Sequence, residues 1–165
     1  MDNVIRWILG NASLSMLILA VVLGVIGFVR RTKAGKGGVW EPFMFWLLLL
    51  FVGLVGLYTF VMHCFFSETA ASAIGWSTSP FQYEVGIANL MTGVLGIMAT
   101  WSSRSFRWAV VLAAAVWLWG DGVGHMYQMI AAQDFAPGNA GSWFWTDALA
   151  PAVLIIVHTL NTRRG

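Results

Sequence analysis

Residues 42–65, PFMFWLLLLFVGLVGLYTFVMHCF, run for twenty-four positions without an Asp, Glu, Lys or Arg. At a rise of about 1.5 Å per residue, a helix of that length crosses the roughly 30 Å hydrocarbon core of a bilayer. Further apolar runs near 5–29, 81–101, 107–131 and 143–161 extend the pattern to an all-α integral membrane protein, a bundle of five transmembrane helices. With 59% apolar and 10% charged side chains in 165 residues, the chain cannot hide its apolar surface in a water-soluble core. The longest connection, around 66–80, is too short to build a core of its own, so residues 1–165 are expected to form one domain.

The placement of charge predicts orientation. Arg30, Arg31, Lys33 and Lys36 follow the first run, Arg104 and Arg107 separate the third and fourth, and Arg163 and Arg164 end the chain. Alternate ends of the bundle thus carry eight of the nine basic residues. The positive-inside rule puts those ends in the cytoplasm, the N-terminus outside and the C-terminus inside. Topology explains the basic loop 30–36, and without an aromatic-basic surface beside it nucleic acid is not an expected partner. The first run lacks the order of a cleaved secretory signal, since its charges follow the apolar stretch. Cys64 is the only cysteine, which excludes an intramolecular disulfide and a cysteine-based metal cage. Trp40, Trp101 and Trp108 fall at inner boundaries and Trp7, Trp76, Trp143 and Trp145 at outer ones, the belt expected of amphipathic rings among headgroups.

Local signals mark the helix ends. Ser79-Pro80-Phe81-Gln82 reads as a serine N-cap, a first-turn proline and a glutamine reaching back to the cap. Ser67 to Gly75, with a leading serine, an early acid and a closing glycine, predicts a short surface helix at the outer side, placed to cover a cavity mouth. Residues 136–141 predict an outer turn, and Pro151 a kink that frees the carbonyl of Asp147. Gly86, Gly93 and Gly96 lie near one face of the third run with Asn89, and Gly53 and Gly56 mark the second, so close helix approach is expected at both. Asn11, Ser13 and Ser15 are expected to act as interhelical hydrogen-bonding groups.

Ionisable residues inside the runs are the candidate site. Counted from the outer boundary at about 1.5 Å per residue, His63, Glu84, His125 and Asp147 lie within about 6 Å of the hydrocarbon edge, with Asp121 and Asn89 about 6 Å deeper. Such groups are costly in lipid, so they should face one another or a wet, outward-opening pocket. In Gly120-Asp121-Gly122-Val123-Gly124-His125 the acid and the imidazole are four apart on one helical face, with Gln128 extending the stripe. The three glycines predict a locally unwound turn, or, in the plainer reading, a small-residue contact at Gly120 and Gly124. Glu84 and Asp147 sit near helix starts, where the backbone dipole alone would stabilise an anion. His158 and Asn161 lie towards the other end and are expected to finish the last helix.

Two imidazoles with several carboxylates suit zinc, iron or manganese. A metal held by His63, Asp121 and His125, with Glu84 as base and Gln82, Asn89, Gln128 and Asp147 lining the pocket, would support hydrolytic or redox chemistry. No complete zinc-enzyme motif is present. Haem between His63 and His125 fits less well, because the neighbouring acids spoil an apolar slot. The alternatives are proton- or cation-coupled transport or small-ligand sensing, which in so small a chain calls for a homo-oligomer, and a structural partner subunit without a site. Membrane lipids and an unidentified small molecule or ion are the expected partners.

Gly75-Trp76, Ser79-Pro80-Phe81-Gln82, Glu84-Val85-Gly86 and Ala88-Asn89-Leu90 together resemble the central block of an uncharacterised family of small bacterial multi-pass membrane proteins, over about a tenth of the chain. That resemblance implies a bacterial inner (cytoplasmic) membrane and supplies no activity, cofactor or residue role. It also implies that residues 75–90 act as a unit presenting Gln82, Glu84 and Asn89.

Overall fold

The computed structural model describes residues 7–162. The first two residues of the 5–29 run and the basic residues Arg6, Arg163 and Arg164 lie outside the described residues. After a helical turn at 7–10 the chain forms α1 (Ala12–Lys33), α2 (Glu41–Phe65), α3 (Ser67–Ile74), α4 (Phe81–Thr100), α5 (Arg104–Ala131), the single turn α6 (Pro137–Ala140) and α7 (Ser142–Thr162). No strand occurs among the described residues.

Four segments are long and apolar enough to cross a membrane: α1, α2, α5 and Pro137–Asn161, which contains most of α7. The remaining long helix, α4, has 20 residues but is not among them, because Gln82, Glu84 and Asn89 make its first half polar. Its course nevertheless parallels the others. It begins where Gln82 meets His63 near the end of α2, and its last carbonyls, of Ala99 and Thr100, accept from Arg107, which is bonded to Glu41 at the start of α2. Helices α2 and α4 therefore run antiparallel over their full length.

Glycine makes that pairing tight. A Cβ added at Gly56 would stand 2.7 Å from the Cα of Gly93, one at Gly93 would stand 2.8 Å from the amide nitrogen of Leu57, and one at Gly96 would stand 2.7 Å from that of Gly53. These contacts are backbone against backbone, closer than any larger residue permits. Lipid tails are as apolar as leucine, so close van der Waals packing replaces the hydrophobic effect in holding such helices together. A similar seat, unforeseen in the sequence, occurs where Gly24 and Gly27 of α1 receive Phe43 and Pro42 of α2.

The core lies between α2 and α7, with Met44, Leu47, Leu48, Phe51, Val111 and Leu154 buried together. Outward-facing Ile18, Val25, Val116, Ile130 and Ile156 are exposed, as befits a surface solvated by lipid. Residues Leu47–Leu54 of α2 form a π-helix, with the Val55 amide reaching back to the Leu50 carbonyl. Nothing in the apolar run LLLLFVGL announces that widening; π geometry is rare and is set by packing.

Helix ends agree with expectation in position and differ in chemistry. Gly75 closes α3 in the left-handed conformation at φ 86°. Neither Ser67 nor Ser79 caps its helix: Phe66 and Pro80 occupy the cap positions without a side-chain bond, and Gln82 turns to His63 instead of its own cap. Ser103 does cap α5, accepting from the Phe106 amide at 3.3 Å. The glycine-rich turn at 120–124 is not unwound, because α5 continues through it, and a Cβ at Gly120 or Gly124 would meet nothing within 4 Å, which excludes the small-residue contact expected there. Likewise α7 continues through Pro151.

Gly93→Ala is expected to cost about 1–3 kcal/mol, because the atoms it would strike are backbone and cannot turn aside. Gly124→Ala is expected to be neutral or to stabilise by up to about 1 kcal/mol through helix propensity. Thermal unfolding of the detergent-purified protein compares them, and equal midpoints would refute the interlock.

Candidate functional site

The second half of α5 and the turn that follows it build a polar network around Asn139. After Ala131 the chain reverses through Gln133, at φ 53°, and Asp134, whose Oδ1 accepts from the Ala136 amide at 2.9 Å. The single turn α6 then carries the Asn139 side chain into the interior, where it is fully buried. Its Nδ2 donates to the carbonyls of Asp134 at 2.8 Å and His125 at 3.3 Å. Both amide hydrogens are thereby engaged, which fixes Oδ1 as the group facing His125 Nδ1 at 2.7 Å. An amide oxygen only accepts, so His125 Nδ1 carries a hydrogen and donates it.

That assignment determines what His125 offers on its other side. Its Nε2 lies 3.7 Å from Oδ2 of Asp147, a residue of α7 that is 7% exposed. With Nδ1 protonated, Nε2 either holds a second proton and faces a carboxylate, or presents a lone pair to a protonated acid. A proton placed between Nε2 and Oδ2 can reside on either atom, and the pair can also stand without it, as a neutral imidazole beside a carboxylate. At 3.7 Å the pair is beyond direct hydrogen-bond length, so transfer requires a small approach or a bridging water. Asp121 lies one turn before His125 on α5. Asp121 also opens onto a groove of about 660 Å³ between α4 and α5, lined by Met91, Thr92, Leu95 and Trp117. The indole of Trp76, in the segment after α3, lies against His125, with ring centres 5.9 Å apart and planes tilted by 39°.

The remaining expected site residues are distributed elsewhere. His63 donates from Nδ1 to Gln82 Oε1 at 3.1 Å, joining α2 to α4. Asn89 is buried in the glycine seam and donates to the Val85 carbonyl of its own helix. Glu84 is exposed, on a face of α4 turned away from Gln82, and Gln128 is half-buried one turn beyond His125. Among the described residues no group of three or more His, Cys, Asp or Glu side chains is placed to hold a metal ion. The donor set His63, Asp121 and His125, with Glu84 as base, is therefore not assembled. What sequence reasoning missed is Asn139, whose Pro-Gly-Asn context reads simply as a turn although its burial makes it the centre of the network.

A second polar cluster closes the opposite end of the bundle. Arg107 donates to both carboxylate oxygens of Glu41, at 2.7 and 2.9 Å, and to the carbonyls of Ala99 and Thr100. Asn161 donates to Glu41 Oε2 at 2.8 Å, and His158 stacks on Trp108 with ring centres 4.9 Å apart. The sequence placed His158 and Asn161 at this end but read Arg107 as topology alone. The only acid in its stretch, Glu41, was the available signal. Near the other end, Tyr58 and Trp143 donate to the carbonyls of Leu9 and Gly10, Ser142 to Asn11, and Thr146 to Ser13, tying α7 and α2 to the start of α1. Asn11 and Ser13 join helices as expected, while the Ser15 hydroxyl is buried with no partner among the described residues.

One protein family matches the chain over residues 10–165. The chain belongs to DUF6790, a family of unknown function. Neither a curated protein nor a solved structure matches it. Membership in an uncharacterised family agrees with the resemblance carried by residues 75–90, and any activity has to be argued from this chain's own groups.

Asn139→Ala is expected to remove the partners of the His125 Nδ1 hydrogen and of the Asp134 carbonyl, at a cost of about 1–3 kcal/mol. An unchanged thermal midpoint of the purified variant would remove Asn139 from its bridging role.

Proposed function

We propose that this is a five-span protein of the bacterial inner membrane whose outer polar layer takes up and releases a proton, in the service of proton- or cation-coupled transport or small-ligand sensing. The observation that carries this reading is the commitment of the His125 Nδ1 hydrogen to Asn139, which leaves Nε2 facing Asp147, where one proton can be held between them. A shared proton keeps the pair neutral overall in either arrangement, the least costly state for such groups in hydrocarbon. Asp121 adds a second carboxylate one turn from His125 on α5, with no hydrogen bond to a described residue. Two acids and one imidazole on neighbouring helices favour the arrival of a further proton or small cation, and the groove at Asp121 offers an approach.

Metal catalysis through His63, Asp121 and His125 draws no support from the geometry, because His63 is engaged with Gln82 and Glu84 faces outward. The antiparallel course of α2 and α4 supports a fifth crossing, since 20 residues at about 1.5 Å each reach roughly 30 Å. Arg31, Arg104 and Arg107 line one cavity at a single end of the bundle, which supports a cytoplasmic placement of that end under the positive-inside rule. Membrane lipid is the surrounding partner. Five spans are few for a transporter, so the proposal includes a homo-oligomer.

In vesicles loaded with a pH-sensitive dye, the reconstituted protein is expected to speed internal acidification after an external acid pulse. Asp147→Asn and His125→Gln are expected to fall to the rate of protein-free vesicles. Uptake that matches protein-free vesicles for the unaltered chain, or that persists in both variants, would sink the proposal. Sidedness is checked separately in a Cys64→Ala background by labelling Lys33→Cys and Ser67→Cys with a membrane-impermeant thiol reagent. Opposite accessibility is the expected outcome, and labelling from one side would overturn the orientation.

A further inference from the structure

The end of the bundle opposite the His125 network holds a cavity of about 290 Å³ that the proposed proton chemistry does not use. Arg31 from α1, Arg104 and Arg107 from α5, His158 and Asn161 from α7 and Glu41 from α2 line it. Three guanidinium groups therefore face one carboxylate, and that carboxylate is already bonded to Arg107 and Asn161. Arg31 uses Nε and Nη2 on the Gly37 carbonyl, at 3.1 and 3.0 Å, and Arg104 makes no hydrogen bond or ion pair with a described residue. The charge in this cavity is consequently unbalanced towards positive. A second, independent observation concerns His158. It is 7% exposed and packed on Trp108, yet its Nδ1 is buried without a hydrogen-bond partner among the described residues. A buried unpartnered ring nitrogen beside surplus guanidinium groups is an unfinished polar site, since such an atom loses its hydration and gains nothing in return.

We propose that this cavity binds a phosphate group, held by Arg31 and Arg104. The planar Arg104 fork matches the oxygens of a phosphate with paired donors and Arg31 adds its uncommitted Nη1, whereas a smaller halide would leave most of these donors unused. The N-terminus of α5 adds its dipole at the same place, because Arg104 is the first residue of that helix. Glu41 does not oppose the anion strongly, since Arg107 neutralises it through both oxygens. The phosphate belongs either to the headgroup of an anionic phospholipid, whose tails would lie along the exposed apolar faces of the bundle, or to free inorganic phosphate. Basic pockets between membrane helices suit the first source. The site stands apart from the proton chemistry, so either proposal survives failure of the other.

The test uses the full chain in maltoside micelles, with the thermal unfolding midpoint read against added ligand at constant ionic strength. Short-chain phosphatidylglycerol is expected to raise the midpoint saturably, while phosphatidylcholine with the same tails is not. A response to phosphatidylglycerol alone assigns the phosphate to a lipid headgroup, and an added response to sodium phosphate assigns it to the free anion; either supports the site. Arg31→Gln combined with Arg104→Gln leaves the Arg107 bridge to Glu41 intact and is expected to raise the half-saturating concentration at least about tenfold. Should that double variant fail to fold, Arg104→Gln alone decides, because Arg104 is exposed and has no described partner. Absence of a saturable response to either probe, or half-saturation unchanged by the substitutions, overturns the proposal.

Discussion

Backbone contact between Gly53 and Gly56 of α2 and Gly93 and Gly96 of α4 is the constraint on which the rest of the structure depends. A bilayer gives apolar helices no reason to leave lipid for one another, so association rests on close packing and on bonds between polar groups. Where only hydrogen separates two backbones, the helices are held at one separation and one register. That register brings Gln82 opposite His63 at one end of the pair and the carbonyls of Ala99 and Thr100 beside Arg107 at the other. Gln82, Glu84 and Asn89 cost α4 much of its apolar character. Two of them recover the cost by turning into the protein, while Glu84 stays at the exposed surface.

The two ends of the bundle satisfy their polar groups differently. At the end carrying Arg31, Arg104 and Arg107, the Glu41 to Arg107 bridge joins four elements through charge-assisted bonds, with Asn161 as the last contributor. At the other end neutral groups prevail. The Asn139 amide, the carbonyls of Asp134 and His125 and the imidazole form a chain of hydrogen bonds, and the imidazole Nε2 faces Asp147 at 3.7 Å.

Much of the fold was legible in residue order. Helix positions followed from apolar length, the α3 stop from Gly75, and the close face of α4 from glycine spacing, since each depends on a few neighbouring residues. The site was legible in its chemistry and not in its grouping. Asp121 opens onto the groove between α4 and α5 and only His125 joins the Asn139 network, although the two lie one turn apart on one helix. His63 was assigned to them by depth alone, and depth does not say which way a side chain points around the helix; the seam with α4 turns it towards Gln82. Asn139 was missed because turn residues give no sign of burial.

The sequence by itself determined that this chain consists of apolar helices with charge at alternate ends, and that ionisable groups recur inside them. Those properties follow from length, composition and periodicity, which are local. Only the tertiary structure decided which of those groups meet: His125 with Asn139 and Asp147, His63 with Gln82, Arg107 with Glu41. A partner across a bundle depends on helix rotation and register, and these are fixed by the simultaneous packing of several helices, a quantity that no single stretch of sequence contains.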